Sequence, residues 1–112
     1  DPAIQKLWGR NNFPDDPVKQ SNKRGFVTFA KTSAPNSRST QIFINYRDNS
    51  NLDPQGFAPF GQVISGMEVV DKFETYGSNN VPDQSMITAE GNAYLQRDYP
   101  KLTFIKKATI EK

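Results

Sequence analysis

Apolar residues in this chain come in short bursts separated by polar loops, and the bursts are of two kinds. Residues 25–30 (Gly-Phe-Val-Thr-Phe-Ala) and 41–45 (Gln-Ile-Phe-Ile-Asn) concentrate β-branched and aromatic side chains, which predicts two short strands, the second buried. Residues 61–64 predict a third strand, and 102–111 a closing one. Elsewhere the spacing is helical. Asp1 offers a capping carboxylate and Pro2 suits a first helical position, with Ile4, Leu7 and Trp8 on one face and Gly9 as a stop. Trp8 reads as the anchor that packs this short helix on the body. Ser65-Gly66-Met67-Glu68 reads as a capping box ahead of a helix with Val69, Val70, Phe73 and Tyr76 inward and Gly77 at its end. Residues 83–98 predict one more helix, with Ile87, Tyr94 and Leu95 inward, weakened at Gly91 and stopping before Pro100.

The loops carry the remaining signals. Residues 11–22 hold Pro14, Pro17 and the pair Asp15-Asp16, an extended surface loop in which adjacent carboxylates beside prolines predict a turn. Residues 31–40 and 46–51 are also loops. Asp48 to Asp53 has the flavour of a calcium loop, but Asp53 stands where its glycine belongs and Pro59 where its closing glutamate belongs, so that reading is rejected. Phe57 and Phe60 then restore apolar surface. Two strands flanking a loop with rings at its mouth predict a shallow apolar pocket with a polar rim.

Composition narrows the chemistry. At 112 residues the chain is one small domain or part of one, with 35% hydrophobic and 23% charged residues, enough for a modest core. Its 14 basic and 12 acidic residues leave +2, too small and dispersed to argue for nucleic acid. Lys101, Lys106, Lys107 and Lys112 read as guards of a strand edge. With no cysteine and no histidine, a Ser-His-Asp triad, a cysteine nucleophile and a thiolate or imidazole metal site are excluded within this chain. The lack of cysteine fits reducing and oxidising compartments equally. No apolar run approaches the ~20 residues that span a bilayer, so no membrane partner is expected.

Ala30, Ala-Pro-Asn-Ser-Arg-Ser-Thr-Gln-Ile-Phe-Ile-Asn (34–45), Asn-Leu-Asp (51–53) and Gly-Phe-Ala-Pro-Phe-Gly (56–61) together resemble the core of a cyclophilin, a peptidyl-prolyl cis/trans isomerase, bacterial-type members above all. The pattern runs in register from Gly25 to Phe73; the segment 83–102 departs from the commonest members. The resemblance implies a mainly β fold, an antiparallel barrel of about eight strands with covering helices. Residues 1–112 would be the C-terminal portion of that single domain, incomplete at the N-terminus.

Proline isomerisation suits a chain without histidine or cysteine. The barrier to rotation about an X–Pro bond is ~18–20 kcal/mol, set by amide resonance. A catalyst needs no nucleophile, metal or cofactor. It must seat the proline ring in an apolar pocket and aim a donor at the prolyl nitrogen, which accepts a hydrogen bond only once twisting has made it pyramidal.

The resemblance assigns residues to this task. Phe43 aligns with the floor of the proline pocket and Leu52 with its wall. Gln41 aligns with the glutamine that steers substrate and catalytic arginine, and Ala30 with the small residue beside the bound backbone. Lys31 follows where many members have asparagine. Phe57 stands where many eukaryotic members have histidine and bacterial ones an aromatic. Asn51 stands where cyclosporin-sensitive members carry tryptophan, so such ligands should bind weakly.

Cyclophilins also carry Phe-His-Arg followed by Phe-Met-x-Gln, and that arginine is the donor. Neither motif occurs here, and Asp1 aligns just past them. Arg24, Arg38 and Arg47 fall in loops belonging to other parts of the pattern. No catalytic residue is therefore expected within 1–112. The arginine and the first strands are expected upstream, in the same or another chain, and this stretch alone is expected to be inactive. The expected partners are proline-containing peptides or unfolded clients. The alternatives are a non-enzymatic proline-peptide module lacking the arginine, and a β-rich structural domain of similar architecture only.

Overall fold

The computed structural model describes residues 1–112 as two compact units, one of Ala3–Asp71 and one of Asp1–Pro2 with Lys72–Lys112. The first holds a three-stranded antiparallel sheet, β1 (Phe26–Phe29), β2 (Ile42–Ile44) and β3 (Pro59–Gln62), in the order β2-β1-β3. Thr28 pairs with Phe43 on one side of β1 and with Pro59 on the other. The ladder to β3 slips between Val27, opposite Gly61, and Thr28, opposite Pro59. Proline has no N–H to give a ladder, so it is tolerated on an edge strand and at such an irregularity.

The sheet is open, with β2 and β3 at its edges, and it is not a closed barrel. Rings stack across it: Phe13 meets Phe29 edge-on at 5.0 Å and Phe29 lies 4.5 Å from Phe60. The deepest positions are nonetheless polar: Asn22, Thr28, Asn45 and Arg38 are buried, beside Ala58 and Val70. A 3-10 helix, Ser50–Gln55, connects β2 to β3 where the sequence predicted only loop.

Several sequence expectations for this unit need correction. The helix α1 (Pro2–Trp8) starts at its proline as expected but buries no residue. Trp8 is 58% exposed, and Ile4 and Leu7 beside it are also open to solvent, so the face expected to pack on the body is largely uncovered. The strand β2 is not fully buried, since its first residue Ile42 faces outward at a sheet edge. The third strand begins two residues earlier than predicted and leaves Ile64 exposed. The expected capping box fails by one position. Gly66, at φ 92°, is the N-cap of α2 (Met67–Val70), so Ser65 lies outside the helix and Glu68 stands at N2 instead of N3. That helix ends at Val70, far short of Gly77.

In the second unit the predicted long helix is two, α3 (Gln84–Glu90) and α4 (Asn92–Asp98). Asp83 caps α3, its carboxylate accepting from the backbone N–H of Ser85 and Met86 at 2.8 and 3.1 Å. Gly91 separates the helices at φ 59° and ψ −135°, a conformation that L side chains rarely adopt. A Cβ built on Gly91 would lie 2.9 Å from Pro2 Cδ. Tyr94 is buried, and Tyr99 packs edge-on to both Tyr76 and Tyr94 at 5.1 and 5.8 Å. The closing strand expected over 102–111 is absent, and Phe104, Ile105 and Ile110 are exposed. A strand needs a neighbour for its N–H and C=O groups, and residues 72–112 supply none.

Candidate functional site

Where β1 ends and β2 begins, the chain is pinched: the Ala30 N–H donates to the Gln41 carbonyl at 2.9 Å. Beside this pair lies an open cleft of about 270 Å³, lined by Ala30, Lys31, Gln41 and the hydroxyl residues of the 32–40 loop. The loop keeps its shape through its own side chains. Ser37 Oγ donates to the Ala34 carbonyl at 2.8 Å and accepts from the Thr32 N–H at 3.0 Å.

Arg38 anchors the loop from behind. Its side chain is 3% exposed, it donates to the Pro14 carbonyl and to Asp16 (3.1 Å), and its guanidinium lies 4.6 Å over the Phe13 ring. Adjacent side chains on extended backbone point to opposite sides, so an inward Arg38 turns Ser37 and Ser39 toward the cleft. The pair Asp15-Asp16, expected to be a plain turn, therefore holds this arginine, and Asp15 exchanges two hydrogen bonds with Asn36 as well.

Next to the cleft, Phe43 meets Phe57 edge to face at 6.0 Å. Lys31 joins the two regions. Its Nζ sits 5.2 Å from the Phe57 ring centroid and donates to the carbonyls of Thr32 and Gln55 at 2.9 and 3.2 Å. Leu52 is half-buried on the 3-10 helix, and its carbonyl accepts from the Phe57 N–H at 3.4 Å. Asn51 is exposed on that helix, its carbonyl taken by Gln55 Nε2 at 2.8 Å. Phe60, expected near the same mouth, leaves it for Phe29. The hollow lined by Ala30, Lys31 and Gln41 is thus mainly polar, and Phe43, Leu52 and Phe57 are not among the residues that line it.

Sequence reasoning missed the group that holds these parts. Asn22, fully buried, gives its amide Nδ2–H to Asp53 at 2.7 Å and to the Phe57 carbonyl at 2.8 Å. Its Oδ1 accepts from the Thr28 hydroxyl at 2.7 Å and from the Asn45 amide at 3.3 Å. Asp53 also accepts from the Asn22 backbone N–H and the Ser21 hydroxyl. The Ser21 hydroxyl first, then the two Asn22 donors, hold the Asp53 carboxyl below its ordinary range. Network partners up to 35 residues apart leave no local period to find.

Arginines are mostly committed elsewhere. Arg24 holds Asp71 through two hydrogen bonds of 3.0 and 2.7 Å, Arg97 pairs with Glu90 and Asp98, and no arginine lines the cleft. The cleft thus sets hydroxyl and amide groups and one ammonium beside a pair of rings.

Comparison with known proteins agrees with the pattern. The family model described as cyclophilin type peptidyl-prolyl cis-trans isomerase/CLD matches residues 2–91. A peptidyl-prolyl cis-trans isomerase of Acinetobacter baylyi is 46% identical over 74 residues, 57% of this chain and 39% of that protein. Peptidyl-prolyl cis-trans isomerase A of Dickeya dadantii is 44% identical over 64 residues, 54% of this chain and 34% of its own length. Peptidyl-prolyl cis-trans isomerase B of Escherichia coli is 33% identical over 87 residues, covering 71% of this chain and 46% of that protein. The chain thus spans less than half the length of these relatives.

Proposed function

The chain belongs to the cyclophilin-type peptidyl-prolyl cis-trans isomerase family, and we propose that residues 1–112 form the proline-peptide side of such an isomerase's site. The observation that carries this reading is the Phe43–Phe57 ring pair joined by Lys31 to the cleft that Ala30 and Gln41 line. In this proposal the proline ring rests on Phe43 and Phe57 with Leu52 as wall, while Ala30 and Gln41 meet the backbone on either side. Seating the ring on apolar surface strips water from the amide, which favours the less polar twisted state. Asn51 offers no indole to cyclosporin-type ligands.

The three-stranded sheet would be one arc of a closed barrel. Its open edges at β2 and β3 are where further strands would pair. Those strands and the donor arginine are proposed to come from residues outside 1–112, in the same chain or another.

A second reading has an observation of its own. No arginine lines the cleft, and Arg24, Arg38 and Arg97 are held by carboxylates. Residues 1–112 could therefore act as a proline-peptide binding module without catalysis. Exchange spectroscopy on a proline peptide separates the two. Accelerated cis/trans exchange by the encoded protein supports the isomerase, binding without acceleration supports the module, and no binding refutes both.

A further inference from the structure

Lys31 is the one charged residue lining the cleft; its other walls are hydroxyl, amide and small side chains. The ammonium group carries three N–H donors, and the carbonyls of Thr32 and Gln55 take two. Those two carbonyls fix the cation at the boundary between cleft and ring pair, with a donor to spare. No carboxylate lines the cleft to neutralise it. The face of Phe57, 5.2 Å from Nζ, attracts the ammonium and helps hold it beside the ring pair.

Resting on the isomerase reading, we infer that this site selects clients with an acidic side chain close to the proline, and that Lys31 is the specificity-determining residue. The reach is right. An extended peptide advances ~3.3 Å per residue. Lys31 Nζ stands 5.2 Å from the centre of the ring on which the proline would rest. A carboxylate one or two residues from that proline meets the ammonium, and the polar walls give its remaining lone pairs donors. A lysine at the same client position meets a like charge. An asparagine gains no charge pairing.

The test uses the protein as encoded and capped peptides that differ at one position, Asp, Asn, Lys or Ala, placed one or two residues from the proline on either side. Calorimetry should give an Asp peptide about three- to fivefold tighter binding than its Asn twin in at least one placement, the scale of an exposed ion pair. The advantage should shrink as salt rises from about 20 to about 300 mM. Lys31→Gln should abolish the difference between the Asp and Asn peptides, and Lys31→Arg should keep it. Should Lys31→Gln fail to fold, the salt dependence and Lys31→Arg still decide. Equal affinity for Asp and Asn peptides in every placement overturns the role of Lys31 and leaves the isomerase reading standing. A preference that survives Lys31→Gln does the same. Failure to bind any of the peptides overturns the isomerase reading and this inference together.

Discussion

Asn22 and Asp53 share one carboxylate oxygen: the Asn22 backbone N–H and its side-chain amide both donate to Asp53 Oδ1, at 2.9 and 2.7 Å. Through this contact the loop before β1 holds the 3-10 helix that carries Leu52. The same amide holds the Phe57 carbonyl, so one buried asparagine sets the positions of two groups of the proposed pocket.

Asn22→Ala should therefore destabilise the fold strongly. It strands the Thr28 hydroxyl and the Phe57 carbonyl, while the Asn45 amide keeps the Phe26 carbonyl, and each buried group left unpaired costs about 1–3 kcal/mol. Urea denaturation should show a drop of at least that size. A change under about 0.5 kcal/mol would mean that water replaces the amide without loss.

Asp53 should make stability fall in acid. Its carboxyl titrates below the ordinary value in the folded chain because of the Ser21 hydroxyl and the Asn22 donors. A depressed folded pKa contributes stability above the unfolded value of about 3.9, and that contribution is lost as pH falls through the folded pKa. Asp48 and Asp71 are depressed as well, by Ser50 and Arg24 respectively, so the loss will not be Asp53's alone. The comparison of interest is Asp53→Asn, which should unfold with a shallower slope below pH 4 than the parent. Parallel slopes would show that Asp53 contributes nothing to it.

Leu52→Ala probes the pocket with the least disturbance, since Leu52 is only half-buried. Removing its side chain should cost about 1–2 kcal/mol of proline-peptide binding or turnover, roughly five- to thirtyfold. An unchanged kcat/KM in a protease-coupled assay would remove Leu52 from the site. Phe43→Ala is the less informative change, because Phe43 also pairs across the sheet with Thr28.

Arg38→Lys should fail to replace arginine. A lysine keeps the charge but lacks the planar fork that reaches Pro14 and Asp16 while lying over Phe13. Breaking a buried pair costs about 3–5 kcal/mol. Asp16 is 73% exposed, so about 2 kcal/mol is expected. Thermal denaturation of Arg38→Lys beside Asp16→Asn measures this, and a Tm equal to the parent's in both would show that the clamp carries no stability.

What the sequence determined by itself is whatever neighbouring residues decide. The β-branched and aromatic runs at 26–29 and 42–44 formed strands, Pro2 opened a helix, Asp83 capped one, and Gly91 broke the helix it was expected to weaken. Membership of the family was legible too, and the family model matches residues 2–91.

Only the tertiary structure decided which of these residues meet. Phe57 and Phe60, three residues apart, part company because one turns to Phe43 and the other to Phe29. Trp8 and the tail 102–111 were read from composition as an anchor and a strand. Both roles require a partner surface, and composition does not supply one. Asn22, Asp53 and Arg38 look like loop residues in sequence. Asn22 and Arg38 become interior ones, and Asp53 a half-buried partner, because a buried polar group must find its hydrogen-bond partners wherever the fold puts them, and these lie up to 35 residues away.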